Sequence, residues 1–333
     1  MDPRQYQRNL AALRCGLALT DAAQAATGQA FLESELSGLD PVIRLPLENY
    51  TYMRDIPIDT TGKGWITQQI ARNVDFRGAD SLGGGVGSQS NDIEVIEYNR
   101  NQDVWPVYPW EKRVRIPVVE SLRMAQIGES PQALLDKGVR IAYSKTLDAR
   151  TYLGYNGQYG LVNNPAVTST ILPATGTGAT TTWATKTQAN ILADFNFMAT
   201  TNWNASGNAP SAMPDRFLVP PIQWTYLTAT MTASGNESIL NYIKRSYIGS
   251  AFGVTPEIYP LPAWLDGQGV GGTQLVLAYK FDKDCLSLGL PMEIQRYGGP
   301  LSVVSGAFEV LYIANIGVVK INRPQTVGSY YGA

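Results

Sequence analysis

Tyr152–Val167 reads YLGYNGQYGLVNNPAV and closes the longest helical pattern in the chain. Three glycines, three tyrosines and three asparagines fall within these sixteen residues. Gly154, Gly157 and Gly160 permit tight or left-handed backbone, and Asn163-Asn164-Pro165 favours a turn. The tyrosines have no base beside them and the stretch supplies no nucleophile. It reads as a built corner, not as the mouth of an active site.

The helix before it, SPQALLDKGVRIAYSKTLDARTYLGY from Ser130, has a cap in Ser130 and a proline at the first helical position, Pro131. Leu134, Leu135, Ile141, Ala142, Ala149 and Leu153 predict its apolar stripe, and Gly154 is its natural stop. About 25 residues at 1.5 Å each give roughly 35 Å, a length suited to a spine.

Upstream, from Pro41 to Pro117, the texture is extended. Prolines at 41, 46 and 57 exclude a long helix. WITQQIARNVDF and DIEVIEYN read as two arms joined by the glycine-rich tip RGADSLGGGVGSQSN. A hairpin of this kind cannot bury both faces on its own domain. Its charged residues, Arg72, Arg77, Asp92, Glu94 and Glu97, are therefore candidates for an interface, together with the aromatic run Trp105, Tyr108 and Trp110. As a glycosidase pair, Asp92 and Glu94 would have Cα atoms about 7 Å apart on one strand face, with no cleft to exclude water or raise a pKa. The aromatic run could stack on a sugar, but an apolar wedge packed where the hairpin returns to the body, on its own core or a neighbour, is the better account. GGGVGS lacks the Lys-Ser/Thr of a phosphate loop and no helix follows it.

Residues 1–40 carry Leu10, Leu13 and Leu17 at helical spacing, interrupted by Gly16 and Gly28, and predict an arm that packs on a neighbouring chain. Downstream, TKTQANILADFNFMATTNW predicts a second helix and PDRFLVPP a strand. SGNESILNYIKRSYIG predicts a third helix, with a capping box of Ser234 and Glu237. TPEIYPLPAWL predicts an extended edge, and TQLVLAYKFDKDCLSLGLP a hairpin turning at Phe281–Asp284. Asp282 and Asp284 could offer oxygens to an interface ion, but the further ligands of a calcium loop are absent. Strands over 307–313 and 318–323 precede a small polar tail. The layout is α+β.

Composition narrows the function further. The 333 residues contain no histidine, which excludes histidine triads, histidine metal ligation and histidine general bases. Charged residues make up 16%, well below the roughly 25% of a usual soluble domain, as expected of a chain in wide contact with other subunits. Net charge is −2, with no Lys/Arg block to grip phosphates in a sequence-specific way. Cys15 and Cys285 are far apart and read as free thiols. Residues 301–319 contain Glu309 and many β-branched residues, which predicts strands and no membrane span. No catalytic, metal or cofactor site is predicted.

The order of arm, long hairpin, spine helix, mixed domain and returning strands resembles the HK97-type major capsid proteins of tailed bacteriophages. A G-x-x-G-L-x-N-x-P element stands after the spine helix as GQYGLVNNP, Gly157–Pro165, with Asn164 where the family often has histidine. LVLAYKFDKDCLSLGLPMEIQRYGGP and GVVKINRP carry the second likeness. The resemblance implies an N-terminal arm over 1–40, and a peripheral domain over 41–186 that includes the extended loop near 60–115 and the spine helix near 130–154. It implies an apical domain over 187–300, and returning strands with the tail over 301–333. It further implies an icosahedral shell of hexamers and pentamers of this chain, built in the bacterial host cytoplasm and found in the virion. The shell would enclose double-stranded DNA without sequence-specific contact, and its further partners would be a portal protein and a scaffold or decoration protein. Lysine cross-linking, found in some relatives, is not carried over: Lys63 lies near the hairpin base and no glutamate matches the catalytic position. The rival readings are a tail or decoration module binding glycan through the aromatic run, a carboxylate hydrolase at Asp92/Glu94/Glu97, and an encapsulin-like protein compartment.

Overall fold

The computed structural model describes residues 50–77, 96–126, 131–229, 237–304 and 306–333. A one-turn helix α1 (Tyr52–Asp55) and strand β1 (Ile58–Asp59) lead into a hairpin of β2 (Gln68–Arg77) and β3 (Glu97–Pro106). Next come β4 (Tyr108–Pro117), helix α2 (Val118–Gln126) and the long helix α3 (Pro131–Leu153). The corner follows as two short strands, β5 (Gly154–Tyr155) and β6 (Gln158–Tyr159), and then β7 (Thr168–Ile171). Helix α4 (Gln188–Ala205), strand β8 (Arg216–Val219), helices α5 (Pro221–Ala229) and α6 (Ile239–Ser246), and strand β9 (Glu257–Pro260) make up the middle of the chain. Six strands end it: β10 (Leu275–Tyr279), β11 (Leu286–Gly289), β12 (Met292–Val304), β13 (Ala307–Ile316), β14 (Val319–Ile321) and β15 (Val327–Tyr331).

A five-stranded sheet in the order β7-β15-β10-β8-β9 divides two cores. Side chains alternate across a strand, and β10 shows the result. Leu275, Leu277 and Tyr279 face one core, while Val276 and Ala278 face the other. With both faces covered, the run LVLAY is buried throughout. The first core also takes Val139, Tyr143, Leu147 and Tyr152 of α3 and Val310 and Tyr312 of β13. The second is filled by Phe195 and Met198 of α4, Ile243 of α6 and Tyr330 of β15. Two three-stranded sheets complete the frame, β1-β11-β14 and β12-β13-β4.

Several expectations need correction. The stripe assigned to α3 is rotated: Leu135, Ala149 and Leu153 are exposed, and the buried residues are Val139, Tyr143, Leu147, Asp148, Arg150, Thr151 and Tyr152. Asp148, Thr151 and Tyr152 face inward because they have hydrogen-bond partners there. The Asp148 carboxylate accepts from the backbone N–H of Thr51 at 3.1 Å and of Tyr52 at 3.0 Å. The Tyr152 hydroxyl donates to Asp55. LVLAYKFDKDCLSLGLP is not a hairpin: β10 pairs with β8 and β15, while β11 pairs with β1 and β14. The residues read as a polar tail form β15, buried between β10 and β7. The cap of α6 is Ser238, whose hydroxyl accepts from Asn241 N–H at 3.4 Å. Ser234, Ser130 and the arm 1–40 lie outside the described residues, as does Cys15; Cys285 is free and buried.

The corner has the backbone its sequence suggests. Gly154 and Gly157 hold φ of 82° and 77°. Asn163 ties the corner shut, donating to Leu153 O at 2.9 Å and accepting from Gly160 N–H at 2.7 Å. Pro165 follows in the same turn. A Cβ at Gly160 would run into the backbone of Tyr152 and Gly154. Gly160→Ala is therefore expected to lower stability by about 2–4 kcal/mol. Thermal or denaturant unfolding of the isolated subunit measures it; a loss under about 0.5 kcal/mol would show that the corner has room to spare.

Candidate functional site

The hairpin β2–β3 makes a sheet of its own. Its register pairs Ile70 with Val104, Arg72 with Gln102, Val74 with Arg100 and Phe76 with Tyr98. Directly opposed residues share a face, so these eight make one surface. The other surface carries Ala71 opposite Asp103 and Asn73 opposite Asn101, with Asn73 Nδ2 donating to Asp103 at 2.6 Å. Ribbon amphipathicity of this kind ordinarily marks a buried face. Here the apolar face stands in water: Phe76 is 62% exposed and Tyr98 61%, with Ile70, Val74 and Val104 exposed beside them. Arg72 and Arg100 add two cations to that face, and the Arg100 guanidinium lies 5.0 Å from the centre of the Tyr98 ring.

The root of the ribbon is fixed. Val107 N–H donates to Thr67 O at 2.9 Å, and the buried Gln69 donates from Nε2 to Thr61 O at 2.7 Å. Asn315 of β13 donates from Nδ2 to Ile66 O at 2.8 Å and to Gly64 O at 3.2 Å. Beneath it Lys320 of β14 is paired with Asp59 of β1. Burial raises the Asp59 pKa, but the bonds from Lys320 and Thr61 outweigh it, so the net shift is downward.

The aromatic run is dispersed along this root. Trp110 is buried, edge-on to Tyr143 at 5.3 Å, and donates from Nε1 to Thr146 Oγ1 at 3.3 Å. Tyr108 is half-buried and edge-on to Tyr155 of the corner at 5.4 Å. Trp105 is half-buried at the end of β3, opposite Gln69. The three rings therefore do not line up as a platform for a sugar. Arg72 stands exposed on the apolar face, Glu97 is exposed at the start of β3, and Arg77 pairs with Glu97 in the strand register. Asp92 and Glu94 lie outside the described residues. The Asp282 carboxylate accepts from Asp284 N–H at 3.0 Å in a local turn. The sequence pointed to two extended arms with charged contact residues, and this apolar face was not among the expectations. Arg100, its second cation, was not singled out, because a charge in a strand ordinarily marks the solvent side.

Two outcomes follow from this geometry. Phe76→Ser should leave the melting temperature of the isolated subunit within about 2 °C, because an exposed side chain contributes little to the fold. The same change should sharply reduce self-association seen by sedimentation; unchanged association would mean the face is not used. Asp59 has a folded pKa below its unfolded value. Its contribution is complete above about pH 4 and is lost as pH falls through the depressed pKa. Asp148 and Asp194 are shifted upward by burial and act in the opposite sense, so comparison with Asp59→Asn isolates the effect. The variant should lose stability at pH 6 and converge with the wild type near pH 2 in urea titrations.

A family model described as major capsid protein matches residues 83–331. The structure is similar to the capsid of Myoviridae Phage XM1, with a TM-score of 0.71 and 15% identity over 90% of this chain and 97% of that one. It is similar to the capsid of a native GTA particle, with a TM-score of 0.59 and 10% identity over 90% and 96% of the two chains. It also resembles Gordonia phage Cozz, with a TM-score of 0.54 and 14% identity over 90% and 92%. No curated protein sequence matches the chain.

Proposed function

This chain belongs to the major capsid protein family, with an HK97-like fold, and we propose that it encloses double-stranded DNA in an icosahedral shell of its own hexamers and pentamers. The observation that carries the reading is the uncovered apolar face of the hairpin. A ribbon with Phe76, Tyr98, Ile70 and Val104 on one side needs a surface to lie on, and a neighbouring copy is the partner a shell supplies. Permanent interfaces commonly bury about 2,000–5,000 Å². At an upper-limit coefficient of about 25 cal/mol per Å², part of such an area outweighs scattered surface ion pairs worth about 0–1 kcal/mol each.

The chain divides into a peripheral domain over 41–186 and 301–333 and an apical domain over 187–300, and both cores draw on both segments: Leu218 and Leu277 of the apical segment enter the first, and Tyr330 of the returning segment enters the second. Strand β15 belongs to the returning segment and ties the two by crossing into the shared sheet. Net charge of −2 suits a wall that encloses DNA without sequence-specific contact. Portal and scaffold or decoration proteins complete the partners, and assembly takes place in the bacterial host cytoplasm before the chain enters the virion. The role is structural, with the hairpin residues Arg72, Arg77, Asp92, Glu94 and Glu97 serving contacts between copies.

Electron microscopy and light scattering of the purified chain test this. Closed shells, tubes or capsomers are the expected result, and particles from lysates should protect DNA from nuclease. A homogeneous monomer at high concentration, unchanged by addition of a scaffold, would overturn the reading.

A further inference from the structure

Four cations are buried among the described residues: Arg150, Lys186, Arg216 and Lys320. Three of them hold a carboxylate. Lys186 is paired with Asp194 at 2.6 Å, Arg216 with Glu257 at 2.6 Å and Lys320 with Asp59. Arg150 is different. It is 5% exposed, and its Nε and Nη1 have no hydrogen-bond partner among the described residues. Tyrosines surround it instead. The guanidinium carbon lies 3.9 Å from the centre of the Tyr155 ring, and Tyr143 and Tyr108 are the other groups that act on its charge. Burial pushes its pKa below the usual arginine value, and the tyrosines only partly offset the shift.

A cation–π contact offsets only part of the desolvation cost of a buried ion without a carboxylate partner. The folded subunit therefore keeps an anion position that the described chain does not fill. We propose that Arg150 is the floor of a socket that receives a carboxylate side chain from a second copy of this chain during assembly. The proposal rests on the capsid reading, which brings further copies against the surface beside the corner. Leu153, Tyr155 and Tyr159 stand exposed around α3 and the β5–β6 hairpin, with Tyr155 at 47%. Aromatic residues and arginine at the centre of an exposed patch are the composition of an interface hot spot. The planar guanidinium matches a carboxylate by two parallel hydrogen bonds. Exposed glutamates such as Glu97, Glu111 and Glu120 are available to donate it. Tyr155 is the lid: it ends the two-residue strand that begins at Gly154, is exposed, and would turn from its edge contact with Tyr108 to admit the carboxylate.

Arg150→Met keeps most of the side-chain volume and removes the charge. The unassembled variant should melt at the wild-type temperature or above it, because a poorly compensated buried ion has been removed. Its threshold concentration for particle formation, read by light scattering, should rise tenfold or more. A lower melting temperature with a wild-type threshold would show that Arg150 has its partner inside its own chain and would overturn the proposal. An unchanged threshold with unchanged melting would do the same. A second measurement is independent of assembly. Sodium acetate in place of sodium chloride at equal ionic strength should raise the melting temperature of the wild-type subunit and leave Arg150→Met unmoved; equal shifts in both would refute the socket. If the wild type forms no particles, the shell reading fails, while the acetate comparison still decides whether the site takes a carboxylate.

Discussion

A pair of β-strands has two faces and no interior, and the hairpin β2–β3 inherits that constraint. Its two strands bond to each other in a continuous register and to no third strand, and its apolar side chains find no core in the described chain. The body of the subunit is arranged to hold the root of this ribbon firmly. Asn315 reaches from β13 to the carbonyls of Gly64 and Ile66, Gln69 is buried at the junction, and Lys320 and Asp59 close the underside. A ribbon anchored at one end presents a surface in a defined direction, which is what contact between copies requires.

The long helix joins that root to the rest through polar groups placed inside. Asp148 serves the first turn of α1 through the backbone of Thr51 and Tyr52. Tyr152 and Tyr279 meet at Asp55, one bonding its carboxylate and the other its carbonyl. Each group has a partner, so burial leaves little unsatisfied. Arg150, two residues before Tyr152 on the same helix, is less well served: its Nε and Nη1, like the Tyr143 hydroxyl, are buried without a hydrogen-bond partner among the described residues.

Much of this was legible in the sequence. The proline start and glycine stop of α3, the glycine-rich corner and the two extended arms of the hairpin are local signals, and local signals survive in a linear reading. What escaped was long-range. Asp148, Arg150 and Thr151 look like an outer face because periodicity counts polar residues as solvent-facing; Asp148 is held inside by the backbone of Thr51 and Tyr52, Thr151 bonds Leu147 O on its own helix, and Arg150 lies against the Tyr155 ring. LVLAY and LSLG look like a hairpin because a charged turn separates them, but strand partners are chosen by the sheet. VGSYY looks like a tail because small polar residues dominate it, yet between two strands even Gly328 and Ser329 are covered. The candidate surface was half legible: the two arms, and the packing of Trp110 where they return to the body, could be read locally, while the apolar face and Arg100 emerge only once the cross-strand register is known.

Strand β15 has a consequence for quality control. It lies between β7 and β10, parallel to the first and antiparallel to the second, and its Tyr330 fills the second core. A ribosome that stops short of Val327 releases a chain with a gap in the middle of its sheet and both neighbouring edges open. The hairpin, written much earlier in the message, would already be complete on such a fragment. Placing the keystone of the sheet so late means that the sticky surface and the sound body arrive in that order. A fragment that ends before Val327 would therefore carry the contact ribbon on a body whose sheet lacks its strand between β7 and β10.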